Sequence, residues 1–237
     1  MKRMLSISLF TAVAILAMAS LAFGQSCQDL HGLGTNGCAP SPYVTQSVTV
    51  TGVVYSEIGV YNTGSLYLQC PGGSGGIVVY DSALAGIYNE GDEVSITGTV
   101  ADYAGEIEIV TTTANSLLSS GNPFVPTVMT TGALAAGSDM LGDFMEVTGT
   151  LALVSSGYNS IYTVDDGSGP VTVFVDGTAG IDTTSRMDNF VGDIVTIRGA
   201  SKCYNGEGEL LPRSNADVIL TAVPAPTQTW GSIKAQF

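Results

Sequence analysis

Two stretches decide the fold: "GDEVSITGTVADYAGEIEI", Gly91 to Ile109, and "GDIVTIRGASKCYNGEGEL", Gly192 to Leu210. They lie about a hundred residues apart and share a layout. Each opens on Gly-Asp, runs through alternating residues to a second Gly, then crosses a short turn into an acidic, alternating segment. In the first, Val94, Ile96 and Gly98 alternate with Glu93, Ser95 and Thr97. A period of two places alternate side chains on opposite faces, which is the pattern of a half-buried strand. In the second, Ile194 and Thr196 alternate with Val195 and Ile197, apolar on both faces. The turns are "DYAGE" (Asp102 to Glu106) and "YNGE" (Tyr204 to Glu207). Asn205-Gly206 suits a two-residue hairpin with positive φ at both central positions.

The echo extends upstream. "VTVTGVV" (Val48 to Val54) matches "MEVTGTL" (Met145 to Leu151), and "SLYLQC" (Ser65 to Cys70) matches "IYTVDD" (Ile161 to Asp166). "GIVVYD" (Gly76 to Asp81) matches "PVTVFVD" (Pro170 to Asp176). Five strands in one order, in a unit of about 75 to 95 residues, exceed solenoid periods and predict two domains. Gly52 and Gly149, each inside a first strand, mark a bulge or a sharp bend. Such a bend lets one strand serve two sides of a small closed barrel.

These residues resemble the OB fold. The Thr-Gly bend in strand one, "DDGSGPVTVFV" (Asp165 to Val175) across strands two and three, and "GD.V.I.G" opening strand four carry the resemblance. More narrowly, the chain resembles the OB-type repeats of exported bacterial nucleases and cell-surface proteins. "NPFVPTVMTTGALAAGSDMLGDFMEVTGTL" (Asn122 to Leu151) is similar to the way a second repeat of that family begins. The implied fold class is all-β, with two tandem five-stranded OB-fold-like Greek-key barrels. Fold alone implies little about activity. The chain departs from the family pattern in carrying Cys70 where the second copy has Asp166, and in lacking the basic residues of nucleic-acid-binding barrels.

The expected organisation is a signal peptide over 1–24, a disulfide-closed segment over 25–43 and a first barrel over 44–118. A linker and lead-in over 119–141, a second barrel over 142–221 and a tail over 222–237 follow. Lys2 and Arg3 precede an apolar run from Leu5 to Phe23, and Ala22-Phe23-Gly24 supplies small residues for cleavage. No basic stop-transfer cluster follows, so no membrane span is expected after signal removal. The expected location is secreted or at the cell surface.

Beyond the signal, five basic and 21 acidic residues remain, 5 − 21 = −16, and no Lys or Arg occurs from Gln25 to Ser185. A phosphate-tracking surface needs such cations, so this charge opposes nucleic acid as a partner. Four cysteines in an exported chain read as two disulfides with three connectivities. Cys27 and Cys38 are the cheap local pair, which leaves Cys70 to join Cys203 between the two copies. A metal site on Cys27, His31 and Cys38 lacks a fourth ligand.

Catalytic residues are not evident. His31 is the only histidine, and no strand-Ser-helix elbow presents a nucleophile. "VDDGSGP" (Val164 to Pro170) and "NEGDE" (Asn89 to Glu93) lack calcium-loop spacing and read as turns. "GGSGG" (Gly72 to Gly76) lacks the Lys of a phosphate loop and reads as a flexible connection. The expectation is a non-enzymatic chain with no cofactor and no metal, binding a surface protein, a glycan or copies of itself. Assembly into a structural filament is the other class of role. Of the tyrosines on an OB binding face, Tyr103 and Tyr204 are the expected exposed contacts, whereas Tyr162 belongs in the core. In the tail, Trp230, Ile233 and Phe237 fall on one face of a two-turn helix, suited to docking or to capping the second barrel.

Overall fold

A computed structural model describes residues 26–31, 38–73, 75–137 and 142–221. The expected signal peptide and the tail with Trp230, Ile233 and Phe237 lie outside the described residues.

The first half forms β1 (Ser47–Ser56), β2 (Ser65–Gln69), β3 (Gly76–Tyr80), β4 (Glu93–Tyr103) and β5 (Glu106–Ser119). They close a barrel in the order β1-β2-β3-β5-β4, antiparallel throughout except for the parallel pair β3–β5. The second half holds β6 (Thr127–Val128), β7 (Phe144–Ser155), β8 (Ser160–Asp165), β9 (Val171–Val175), β10 (Ile194–Tyr204), β11 (Glu207–Leu211) and β12 (Val218–Leu220). There β7-β8-β9-β11-β10 repeats the same order, and β10 returns to pair with β7. The fold is all-β, two five-stranded barrels with the connectivity of the OB fold. β6 lies parallel beside β7, and β12 flanks β10.

Alternation fills each barrel. Val48, Val50 and Val54 of β1 meet Val94, Ile96 and Val100 of β4 and Ile107 and Ile109 of β5 in the first core. Met145, Val147, Leu151, Val195, Ile197 and Leu210 do the same in the second, joined by Tyr162. Tyr162 is fully buried, and its hydroxyl donates to Asp188 at 2.6 Å. At the start of β10 only one face is buried, Ile194 being exposed while Val195 and Ile197 are not, and further along Ala200 buries the other face as well.

Gly52 marks where β1 changes partners, pairing with β4 up to Val53 and with β2 beyond it. A Cβ at Gly52 would stand 2.9 Å from the Gln69 carbonyl oxygen, and one at Gly149 would stand 2.5 Å from the Asp165 backbone. A side chain at either position would push apart strands that the barrel must bring together. Both β4–β5 and β10–β11 turn through two residues of positive φ, Ala104-Gly105 and Asn205-Gly206.

A single helical turn precedes each barrel and plugs it. α1 (Cys27–Leu30) is capped by Ser26, and α2 (Thr131–Ala135) by Thr130. Leu30 enters the first core and Leu134 the second.

The disulfides join Cys27 to Cys70 and Cys38 to Cys203, with Cα atoms 6.1 and 5.5 Å apart. This corrects the expected local pair Cys27–Cys38 and its complement Cys70–Cys203. Local closure minimises loop entropy, but α1 is held by packing. With Leu30 in the first core, Cys27 is buried beside the end of β2, where Cys70 stands. Cys38 then reaches β10, so the lead-in bridges the two barrels covalently.

Candidate site between the barrels

The barrels meet face to face along an aromatic seam. Tyr55, Tyr61, Tyr67 and Val78 of the first pack with Phe144, Ala179, Ala200 and Leu211 from the second half. Tyr55 stacks on Phe144 with ring centres 5.4 Å apart, and Tyr61 meets Tyr67 edge-on at 5.3 Å. Their polar ends are satisfied across the seam: Tyr55 donates to the Gly142 carbonyl at 2.7 Å and Tyr61 to the Leu211 carbonyl at 2.6 Å. Buried hydroxyls need such partners. Burial pushes both phenols well above the ordinary tyrosine range.

Arg213, just past β11, clamps the same seam. It pairs with the buried Asp217 at 2.9 Å and donates to the Tyr55 carbonyl at 2.6 Å. Its guanidinium lies 4.2 Å from the centre of the Phe144 ring. His31, buried, faces the Gly76 carbonyl through Nε2 at 2.8 Å, and burial lowers its pKa. Gly76 belongs to a packed contact: a Cβ there would collide with the Gly142 backbone.

Strands two and three of the first barrel form the usual OB binding face, and much of that face is closed. Tyr61 and Tyr67 are each 2% exposed, buried against the second barrel. What remains open is the rim, a cleft of about 330 Å³. Tyr80, Tyr103, Glu106 and Glu108 line it from the first barrel, and Phe174, Asp176 and Lys202 from the second.

Strand register matches positions between the two barrels, and one matched pair, Tyr80 and Phe174, lines the cleft from both sides. Glu108 opposes Ala101 in the first hairpin, as Glu209 opposes Lys202 in the second; Tyr103 opposes Glu106 as Tyr204 opposes Glu207. Val79 and Ile109 correspond to Val173 and Leu210 across the parallel pairs, which makes Tyr80 the counterpart of Phe174. Lys202 therefore occupies the position held by Ala101 in the first copy. Its Nζ lies 5.2 Å from the centre of the Tyr204 ring and 6.0 Å from that of Phe174.

The carboxylates are poorly solvated. Burial raises the pKa of Glu106, partly offset by Lys202 and by the Tyr67 hydroxyl, which donates to it at 3.1 Å. Burial, then the neighbouring Glu106, push Glu108 up to about 7. Burial likewise raises Glu209. Such groups can accept hydrogen bonds from a ligand or exchange a proton with it near neutrality.

Tyr103 and Tyr204 are 65% and 44% exposed. Tyr103 lines the cleft; Tyr204 is not among its lining residues and touches it only through Lys202, which packs on its ring. Sequence reasoning missed Tyr80, Phe174, Glu106, Glu108 and Lys202. The signal was present in the outward positions of "EIEI" and "EGEL" and in the lone Lys of the second quoted stretch. Only the docking of the barrels turns those positions toward one another. Among the described residues no cluster of three or more His, Cys, Asp or Glu is arranged to hold a metal ion. In the expected turns, Asp165 accepts the Gly167 and Gly169 amides and Asp92 accepts that of Asn89.

No protein-family model matches the chain. In sequence it is 28% identical over 202 residues to Endonuclease YhcR of Bacillus subtilis (strain 168), a match covering 79% of this chain. The chain spans only 16% of that relative's length. This similarity corrects the expectation of a non-enzymatic chain, because the curated relative is an endonuclease. Among solved structures, the chain is similar to OBody AM1L10 bound to hen egg-white lysozyme, with TM-score 0.35 and 19% identity over 44% of this chain and 100% of that one. OBody AM3L09 bound to hen egg-white lysozyme gives TM-score 0.34 and 19% identity over 43% and 100% of the two chains.

Two disulfides are the chemistry of an oxidising, extracytoplasmic compartment. Among the described residues no helix is long and apolar enough to cross a membrane.

Proposed function

We propose that this chain is a recognition module, secreted or displayed at the cell surface, that takes one or two rings of a glycan into the cleft between its barrels. The observation that carries the reading is the lining. Tyr80, Tyr103 and Phe174 line a cleft of about 330 Å³ together with Glu106, Glu108 and Asp176. A pyranose ring has an apolar C–H face that stacks on an aromatic ring and a hydroxyl rim that donates to carboxylates. Convergent polar groups within apolar walls are the usual make-up of a small-molecule site. Phosphodiesters fit the same lining poorly, since Lys202 is the single cation among its residues.

The test is a glycan array followed by titration calorimetry on the full oxidised chain. Tyr103→Ala and Tyr80→Ala should each weaken binding of the retained glycan roughly tenfold, the value of a lost stacking face. Unfolding midpoints should stay unchanged. No retained glycan, or undiminished binding by both variants, refutes the reading.

The match to an endonuclease favours a second reading, in which these barrels belong to a nuclease and hold nucleic acid for it. It makes a separate prediction: salt-dependent retention of single-stranded DNA, with a cleavage product from the full chain. The acidic balance from Gln25 to Ser185 weighs against direct phosphate contact.

A further inference from the structure

The charge of the cleft goes beyond what a neutral sugar would use. Glu106 and Glu108 stand two residues apart on the outward face of β5, opposite the buried Ile107 and Ile109. Glu106 has the Tyr67 hydroxyl as a partner. Glu108 is only 8% exposed and lines the cleft, and its carboxylate makes neither a hydrogen bond nor a close ion pair among the described residues, Lys202 acting on it only at longer range. A carboxylate so enclosed is costly unless a donor or cation meets it. The lining offers three acids (Glu106, Glu108 and Asp176) against the single base Lys202. That ammonium already sits beside the Tyr204 and Phe174 rings. The same rings and acids would draw a second ammonium, since an aromatic face attracts a cation and a carboxylate pairs with it.

Resting on the glycan reading above, we infer that the cleft selects an amino sugar whose nitrogen is a free ammonium, set against Glu108 with its ring stacked on Tyr103 or Tyr80. N-acetylation removes the charge and leaves Glu108 without its partner. An acidic sugar adds repulsion from Glu106 and Asp176.

A linked proton follows from the same geometry. Burial, Glu106 on its own strand and Asp102 on β4 raise the Glu108 carboxyl and Lys202 on β10 lowers it, so that it titrates at about 7. Tyr67 on β2 and Tyr80 on β3 line the same cleft, and Glu209 on β11 shares the Lys202 charge. A bound cation favours the ionised form. Below neutrality, binding therefore drives a proton from Glu108 to the buffer.

The experiment is calorimetric titration of the full oxidised chain at about pH 5.5, where the probe amines are already protonated before they bind, in two buffers of different ionisation heat. The probes are the β-1,4-linked glucosamine tetramer and its fully N-acetylated counterpart, each also titrated into Glu108→Gln. The expected result is binding of the free-amine tetramer at least roughly tenfold tighter than the acetylated one, with proton release to the buffer. In Glu108→Gln both the preference and the proton release should vanish. General attraction of a polycation to an acidic surface would not change with that substitution. Equal binding of the two tetramers overturns the ammonium inference and leaves the glycan reading standing. Unchanged preference in Glu108→Gln also overturns it. Binding of neither tetramer overturns the amino-sugar inference, while the glycan array decides the glycan reading on its own.

Discussion

Replacing Glu108 with Gln should stabilise the protein, and only at alkaline pH. The side chain is 8% exposed, and its carboxyl titrates at about 7 rather than near 4.5. Burial is the main cause, with the neighbouring Glu106 second. Because the folded chain holds the proton more tightly than the unfolded chain, protonation favours the fold. That contribution is present in full below about 4.5 and is lost as pH climbs through 7. At about 1.4 kcal/mol per pH unit, the displacement sets a ceiling of about 3 kcal/mol on the cost of the charged form. The carboxylate borders an open cleft, and solvent screening there reduces the figure to about 1–2 kcal/mol. Glutamine keeps the shape and removes the charge, so Glu108→Gln should match the parent at about pH 5. At about pH 8.5 it should exceed the parent by about 1–2 kcal/mol. Urea unfolding with both disulfides intact, at the two pH values, measures the difference. Glu106, Asp102, Lys202 and Glu209 are common to both proteins, which isolates position 108. An equal gain at both pH values would show that the effect is not the charge, and a loss at alkaline pH that the carboxylate has a partner in the fold; either result refutes the reasoning.

Four further outcomes are expected. Arg213→Met should cost about 3 kcal/mol in urea unfolding, because it leaves Asp217, 3% exposed, without a cation and with only the residue-213 backbone N–H from that side; a loss below about 1 kcal/mol would mean the seam does not depend on this clamp. Tyr61→Phe keeps the ring and removes the donor to the Leu211 carbonyl, for a loss of about 1 kcal/mol read as a lower thermal midpoint. Non-reducing peptide mapping should recover Cys27 with Cys70 and Cys38 with Cys203. Replacing Cys38 and Cys203 together by Ser frees a crosslink spanning 165 residues, worth about 5 kcal/mol in chain entropy. A Cys27–Cys38 peptide, or a double variant as stable as the parent, would contradict the bridging role of the lead-in.

The strand content was legible because the information is local. Val94, Ile96, Gly98 and Val100 follow the two-residue period of a pleated strand, whatever lies across from them. Gly52 and Gly149 were legible for a related reason, since a closing barrel leaves no room for a Cβ where one strand changes partners. The burial of Tyr162 and the positive φ of Asn205 and Gly206 follow from the repeat and from turn chemistry.

The cysteine pairing was not legible, because loop entropy favours the nearest partner and only packing of Leu30 turns Cys27 toward Cys70. The candidate site shows the same division. Tyr103 and Tyr204 could be named from their place on hairpin turns. Glu108 reads in isolation as an ordinary outward acid on an exposed strand face. It becomes an enclosed, unpartnered carboxylate only because Tyr61 and Tyr67 bury one face of the first barrel against the second.

The sequence by itself determined a five-strand unit written twice, the order of its strands and an acidic balance hostile to phosphate, since each rests on alternation, turn geometry or counting charge. The tertiary structure alone decided which cysteines meet, which half of the OB face is closed, and which residues from two distant hairpins share a cleft. Those outcomes depend on how one barrel docks on the other, a long-range packing choice that leaves no periodic trace along the chain.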